Sequence, residues 1–226
     1  MDIVLIAGLW LPATAWDRTI EHLERLGHRA VAVALPGVDD RTPSATLDDQ
    51  IDAVLAVADD LERPLVVGHS AASTLAWLVA DRRADSVAAI ALLGGFPGTP
   101  GSTYAEFFPI VDGVMAFPGW EPFAGPDSDD LDESMRAVIA DAAVPVAAGV
   151  ATAVVELHDD RRYDVPVTVI CPEFGPSDVQ EWIDAGDLPE LASSNALRLV
   201  DLDSGHWPMF SAPVELAAVI DRIAVS

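Results

Sequence analysis

The sequence predicts an α/β domain with a mostly parallel sheet and helices on both faces, and three observations predict it. Short apolar runs recur at residues 3–8, 30–35, 65–67, 87–93, 165–171 and 197–202, and nearly all alternate with stretches of helical spacing. Most of these runs are continuously apolar rather than alternating, as expected of strands buried on both faces. At 226 residues with 51% apolar composition, the chain has the length of one α/β domain, 1–226, with room for a modest insertion.

The elements follow in order. Residues 3–8 read as a buried strand that ends at Gly8, and residues 16–26 show helical spacing, stopped by Gly27. A second strand at 30–35 closes at Pro36-Gly37, and a helix over 46–61 opens at a capping candidate, Ser44 or Thr46. The third strand, 65–67, runs into Gly68-His69-Ser70, followed by an Ala- and Leu-rich helix over 71–79. The fourth, 87–93, stops at Gly94-Gly95.

Residues 96–163 break the rhythm. Pro, Gly and aromatics dominate up to Pro126, and helical patterning follows over 131–142 and 146–157, so this segment is expected to form an inserted, small, mainly helical cap. A strand at 165–171, a helix at 177–185, a strand at 197–202 and a helix at 213–224 complete the pattern. Such alternation implies right-handed crossovers, and sites in such sheets lie beyond the carboxyl ends of the strands.

Composition excludes several classes of function. The chain has 12 Arg, no Lys and 37 Asp plus Glu, for a formal net charge of -25, which repels nucleic acid. No run is long and apolar enough to span a membrane, so no membrane partner is expected. The lone Cys171 rules out an intrachain disulfide, and Met1-Asp2 leads into a strand with no secretory pattern, giving an expectation of cytoplasmic location. No metal-ligand spacing and no phosphate-binding glycine fingerprint occurs, so no metal or cofactor is expected. The oligomeric state is left open.

The chemistry concentrates in two segments. Gly68-His69-Ser70-Ala71-Ala72 matches the pattern of a nucleophilic serine on a sharp strand-to-helix turn, with Ala72 replacing the usual final glycine. Small flanking residues are needed there because the turn is strained and the strand and helix pack closely. The backbone N–H of Ala71 would then face the oxyanion of a tetrahedral intermediate. The second segment is Asp203-Ser204-Gly205-His206-Trp207-Pro208, between the last strand and the last helix. A histidine in that loop reaches the same sheet edge as Ser70 and can take its proton as general base. His22, His28, His158 and His69, the last within the serine turn, all read as surface or helix-end residues.

With these residues in view, the chain resembles the α/β-hydrolases, in the small-cap branch that includes plant methyl esterases and hydroxynitrile lyases. The resemblance covers nearly the full length. It is carried by Leu5-Ile6-Ala7-Gly8 with Ala15-Trp16, Gly27-His28-Arg29-Ala30-Val31, the serine turn, Val169-Ile170-Cys171-Pro172-Glu173-Phe174 with Trp182, and Gly205-His206-Trp207-Pro208-Met209. It implies the α/β-hydrolase fold, and it implies the backbone N–H of Leu9 as a second oxyanion donor, although Ala7 stands where the family commonly has histidine. It also implies a triad acid after the strand at 167–171. The family tends to place an Asp where this chain has Phe174, which leaves Glu173, favoured as closest to the strand end, or Asp178, a candidate helix cap. Asp203 reads as a turn residue, and a Ser-His pair without a strong acid is the remaining option.

Trp10 and Trp207 flank the expected site and are candidate substrate contacts, while Tyr104, Phe107, Phe108, Met115, Phe117 and Trp120 are either pocket lining or packing of the cap. Cys171 reads as a buried strand residue. The resemblance implies a serine esterase that cleaves a small, largely apolar carboxylic ester or lactone through an acyl-enzyme. Two alternatives are a hydroxynitrile-type carbon-carbon lyase and a ligand-binding homologue without turnover. The related plant lyases rely on a lysine beside the histidine, where this chain has Trp207 and contains no lysine at all.

Overall fold

In the computed structural model, which describes residues 1–225, the chain begins with β1 (Asp2–Ile6), a 3-10 turn (Ala13–Trp16), α1 (Asp17–Arg25), β2 (Arg29–Ala32), α2 (Leu47–Asp59), β3 (Leu65–His69), α3 (Ala72–Arg83) and β4 (Ala89–Leu93). The segment after β4 holds β5 (Val114–Met115), α4 (Glu133–Ala142), β6 (Val146–Ala147) and the single turn α5 (Ala148–Ala151). The chain ends with β7 (Val167–Cys171), α6 (Pro176–Ala185), α7 (Pro189–Ala192), β8 (Leu197–Asp201), α8 (Pro208–Ser211) and α9 (Pro213–Ala224).

The main sheet has six strands in the order β2-β1-β3-β4-β7-β8, with every neighbouring pair parallel. This is the doubly covered parallel arrangement that the continuous apolar runs predict. Side chains alternate between the two faces. Val4, Ile6 and Val66 pack with Ile51 and Val54 of α2 and Leu75 and Leu78 of α3. Ile3, Leu5, Leu65 and Val67 pack with Leu23 of α1 and Leu216 and Ile220 of α9.

Local chemistry sets several element ends. Thr46 caps α2: its hydroxyl accepts from the Asp49 N–H at 3.2 Å, and the Asp49 carboxylate accepts from the Thr46 N–H at 2.9 Å. Such reciprocal caps contribute about 1 kcal/mol. Helix α3 runs four residues beyond the expected end, to Arg83, and every residue from Ala72 to Asp81 is buried. A helix apolar on nearly all sides belongs inside a core. It gives the turn that precedes it a rigid base.

Strand order reverses between β1 and β3, since β1 leads out to β2 and the chain then crosses back to β3 on its other side. The crevice beyond the carboxyl ends of these two strands is where ligands of such sheets bind. Gly8-Leu9 follows β1 and Ser70 follows β3, so both lie at that point.

One expected helix is absent. Residues 146–157 form β6, the single turn α5 and then extended chain that pairs with residues 101–105. Tyr104 N–H donates to Ala153 O at 2.8 Å, Ala105 N–H to Ala151 O at 3.0 Å and Val155 N–H to Ser102 O at 2.8 Å. Gly149 and four β-branched valines weaken the helix, and residues 101–105 offer the chain after α5 backbone partners, so tertiary pairing overrides the apolar spacing. Among the described residues between β4 and β7, α4 is the longest helix, beside short 3-10 segments at Glu121–Phe123 and Asp160–Asp164.

The far end of that segment is tied to the core through buried charges. The Arg162 side chain is 4% exposed and places Nε 2.9 Å from Glu190 Oε2, which also accepts from Trp77 Nε1 at 2.9 Å. Asp81 of α3 accepts the backbone N–H groups of His158 and Asp159 at 2.8 and 2.9 Å. Each buried charge thus meets partners, which is the condition for its burial.

Candidate active site

Ser70 has φ 54°, the left-handed region, at the junction of β3 and α3. A non-glycine residue held there is strained and persists only where its surroundings fix it. Two bonds do so: Ser70 N–H donates to Leu93 O of β4 at 2.8 Å, and Ser73 N–H donates to Ser70 O at 3.0 Å. The backbone folds back so tightly that a Cβ on Gly68 would lie 2.2 Å from Ala72 O, and one on Gly95 would lie 2.3 Å from Ser70 O. Glycine is required at these two positions by close approach. Ala72, where the motif departs from its usual glycine, is buried as the first residue of α3, and its methyl group fits the core.

Leu9 and Ala71 flank the same crevice. Among the described residues, neither of their backbone N–H groups is hydrogen-bonded within the chain. Both are free to donate to an oxyanion beside Ser70.

His206 lies across the crevice, held on three sides. Its Nδ1 is 2.6 Å from Glu173 Oε1, with the two side chains 14% and 13% exposed. Its backbone N–H donates to Asp127 O at 2.8 Å, and its carbonyl accepts from His69 Nε2 at 2.8 Å. The preceding Gly205 N–H donates to Asp130 Oδ2 at 2.7 Å. With Nδ1 engaged by a carboxylate, Nε2 is the nitrogen left to exchange a proton.

Of the two candidate acids, the structure brings Glu173 to the imidazole. Asp178 turns back to accept the Gly175 N–H at 2.8 Å at the start of α6. Asp203 is exposed. The second oxygen of Glu173 is buried without a hydrogen-bond partner. Asp127 stands near enough that its carboxyl is raised above the usual range, by burial first and then by the charge of Glu173.

Leu9, Trp10, His69, Ser70, Phe107, Phe108, Phe123, His206 and Trp207 line one cavity of ≈ 60 Å³. Serine, histidine and both tryptophans expected at the site are therefore gathered there. The wall is a network of ring contacts: Trp10 lies 5.4 Å from Phe117 and 5.7 Å from Phe108, and Trp207 lies 5.2 Å from Phe123 and 5.1 Å from Trp120. Trp10 is fixed further by its Nε1–H bond to Met115 O at 3.1 Å and by the Val144 N–H bond to its carbonyl at 2.8 Å. Two larger hollows, ≈ 280 Å³ beside α2 and Arg82 and ≈ 350 Å³ beside Met1 and Leu197, lie away from Ser70 and His206.

Two histidine readings need correction. His28 is buried, with Nε2 2.8 Å from Asp221 Oδ1 of α9, because the loop after α1 packs under the last helix. His69 is 1% exposed, and burial, followed by the charge of His206, lowers its pKa to about 3. His22 and His158 are not buried. Burial pushes the Cys171 thiol up to about 12, so it is not a thiolate nucleophile at neutral pH. Among the described residues, no three of His, Cys, Asp and Glu are gathered as a metal site requires, and no helix is long and apolar enough to cross a membrane. Asp127 and Asp130 carry no local signal in the sequence, since each reaches the site only through chain folding, whereas Gly95 is marked by the Gly94-Gly95 pair that ends β4.

Comparisons with known proteins agree with this architecture. The Alpha/beta hydrolase family matches residues 3–219. A probable hydrolase, R7, of Phoma sp. is 26% identical over 243 residues, covering 98% of this chain and 97% of the relative. An extracellular alpha/beta-hydrolase from a Paenibacillus species, described as sharing structural and functional homology with tobacco salicylic acid binding protein 2, superposes with a TM-score of 0.81 at 18% identity, over 98% of both chains. The methylesterase MES16 from Arabidopsis gives a TM-score of 0.79 at 18% identity, over 100% of this chain and 99% of its own. With its parallel sheet, its serine turn after β3 and a family match spanning nearly its whole length, the chain belongs to the alpha/beta hydrolase family.

Proposed function

We propose that the protein is a serine esterase that cleaves a small, largely apolar carboxylic ester or lactone through an acyl-enzyme on Ser70. The observation that carries this reading is the 2.6 Å contact of His206 Nδ1 with Glu173, on the residue that shares a cavity with Ser70. The carboxylate orients the ring and stabilises the imidazolium that forms when Nε2 takes the serine proton.

Ser70 Oγ attacks the ester carbonyl as His206 accepts its proton, and the carbonyl oxygen becomes an oxyanion facing the N–H groups of Leu9 and Ala71. Such donors contribute about 3–4 kcal/mol each to the transition state. Collapse breaks the C–O bond, and the leaving alcohol takes the proton from His206. Water, deprotonated by His206, then attacks the acyl-enzyme, the C–O bond to Ser70 breaks to release the carboxylic acid, and His206 returns the proton to Ser70 Oγ. The aromatic wall, including Trp10 and Trp207, favours apolar groups over charged ones, and the net charge of -25 disfavours anionic substrates. A cytoplasmic reaction fits the single, buried Cys171.

The test is incubation with a short-chain aryl ester and with a fluorophosphonate probe. Turnover and labelling are expected in the parent protein and absent in Ser70→Ala. Equal labelling of that variant would overturn the assignment of the nucleophile, and cyanide release from a cyanohydrin without ester turnover would replace esterase by lyase.

A further inference from the structure

We propose that His69 is a positioning residue, which sets His206 against Ser70 through the hydrogen bond from its Nε2–H to the His206 carbonyl and through the packing of its ring on Gly8. The proposal rests on the esterase reading of Ser70 and His206.

A carbonyl oxygen can only accept, so the 2.8 Å contact requires the proton of His69 on Nε2. Its Nδ1 is then a bare lone pair, and that atom is buried without a partner. An unsatisfied buried acceptor is unfavourable, and an apolar side chain of similar size would avoid it. What the imidazole adds over such a side chain is the one donor aimed at residue 206, 137 positions away in sequence.

The ring also meets the third loop of the site. A Cβ on Gly8 would lie 2.7 Å from His69 Nδ1 and 3.1 Å from Ser70 Cβ, so the Gly8-Leu9 turn rests directly on this side chain. His69 thus touches the oxyanion turn, precedes the nucleophile in sequence and holds the base. On its other side, residue 206 is held by Asp127 O, so its main chain is gripped at both the N–H and the carbonyl. Reaction rates depend steeply on such registration: a misplacement of about 1 Å costs about 100-fold.

Charge is consistent with this role. The two imidazole rings are 5.0 Å apart, and a second cation there would oppose proton uptake by His206. Burial keeps His69 neutral. The charged groups near His206 are therefore carboxylates, Glu173 at Nδ1 and Asp127, whose charge interacts with both.

The experiment compares His69→Leu and His69→Gln in the full chain. His69→Leu is expected to keep its fold by circular dichroism and a KM within about threefold of the parent, while kcat and the fluorophosphonate labelling rate fall about 10- to 100-fold. His69→Gln, whose amide can donate to the same carbonyl, is expected to recover labelling to within about fivefold of the parent. A folded Leu variant labelled at the parent rate, or Leu and Gln variants equally slow, overturns the proposal and leaves the esterase reading standing. An unlabelled parent protein overturns both. Should the Leu variant fail to fold, nitrogen-15 spectra of the histidines in the parent decide: a neutral Nε2–H ring for His69 near pH 7 is expected, and an Nδ1–H or doubly protonated ring overturns the proposal.

Discussion

His206 and Glu173 form a contact of 2.6 Å between Nδ1 and Oε1, nearly out of reach of solvent, although 33 residues separate them in the chain. It distinguishes Glu173 from Asp178, which bonds to the backbone of its own helix start. Glu173→Gln keeps the shape of the side chain but removes its charge and changes what it can accept. Steady-state kinetics on an aryl ester should show kcat/KM reduced about 10²- to 10⁴-fold. Asp178→Ala should leave the rate within about twofold and lower stability to urea by about 1 kcal/mol, the value of a helix cap. Loss of activity in Asp178→Ala with retention in Glu173→Gln would reverse the assignment.

The serine turn should discriminate sharply between two small substitutions. Gly95→Ala drives a methyl group to 2.3 Å from Ser70 O, a backbone atom that cannot yield without moving the nucleophile. Stability is expected to fall by about 1–3 kcal/mol and labelling of Ser70 to be lost. Ala72→Gly, which restores the commoner motif, should retain labelling and cost about 0.5–1 kcal/mol through helix propensity. Normal labelling of Gly95→Ala would contradict the close approach described above.

Arg162 offers a test of the buried charges behind α3. Arg162→Met leaves Glu190 and Asp81 without their cation, and urea denaturation should show a loss of about 3–5 kcal/mol. Adding Glu190→Gln removes one stranded charge and should recover part of that loss. A single variant as stable as the parent would mean that the cluster is solvated and contributes little.

Stability should also depend on pH through His69. Its folded value is lowered from 6.5 to about 3, so between these values the unfolded chain binds the proton and the folded chain does not. Its contribution is complete above pH 6.5 and is lost as pH falls toward about 3, with a slope of at most about 1.4 kcal/mol per pH unit. Carboxylates lowered by hydrogen bonds, such as Asp40, Asp49 and Asp159, act below their ordinary 3.8, whereas Asp127, raised by burial and by the charge of Glu173, acts above it with the sign opposite to that of His69 and is common to parent and variant over the interval from about pH 4 to 6.5. Urea melts across that interval should be flatter in His69→Gln than in the parent. An unchanged slope would mean that His69 titrates normally in the fold.

The alternating strands and helices, the serine turn after β3 and the histidine loop before the last helix are legible in the sequence alone. Each of these is written in local pattern: continuous apolar runs, breakers at their ends, and a small-residue turn where the chain must reverse. Tertiary structure decided what depends on groups distant in the chain. Glu173 and Asp178 lie in one short stretch, and only the direction of the chain entering α6 sends one to His206 and the other to Gly175. Residues 146–157 carry helical spacing yet pair with residues 101–105, because backbone partners were available there. His69 reads locally as a surface residue of the turn, and only the meeting of β3 with the loop at 205–207 buries it and gives its one proton a carbonyl to hold. Local propensity sets where elements begin and end, whereas burial and hydrogen-bond satisfaction, which join residues far apart in sequence, decide which side chains meet.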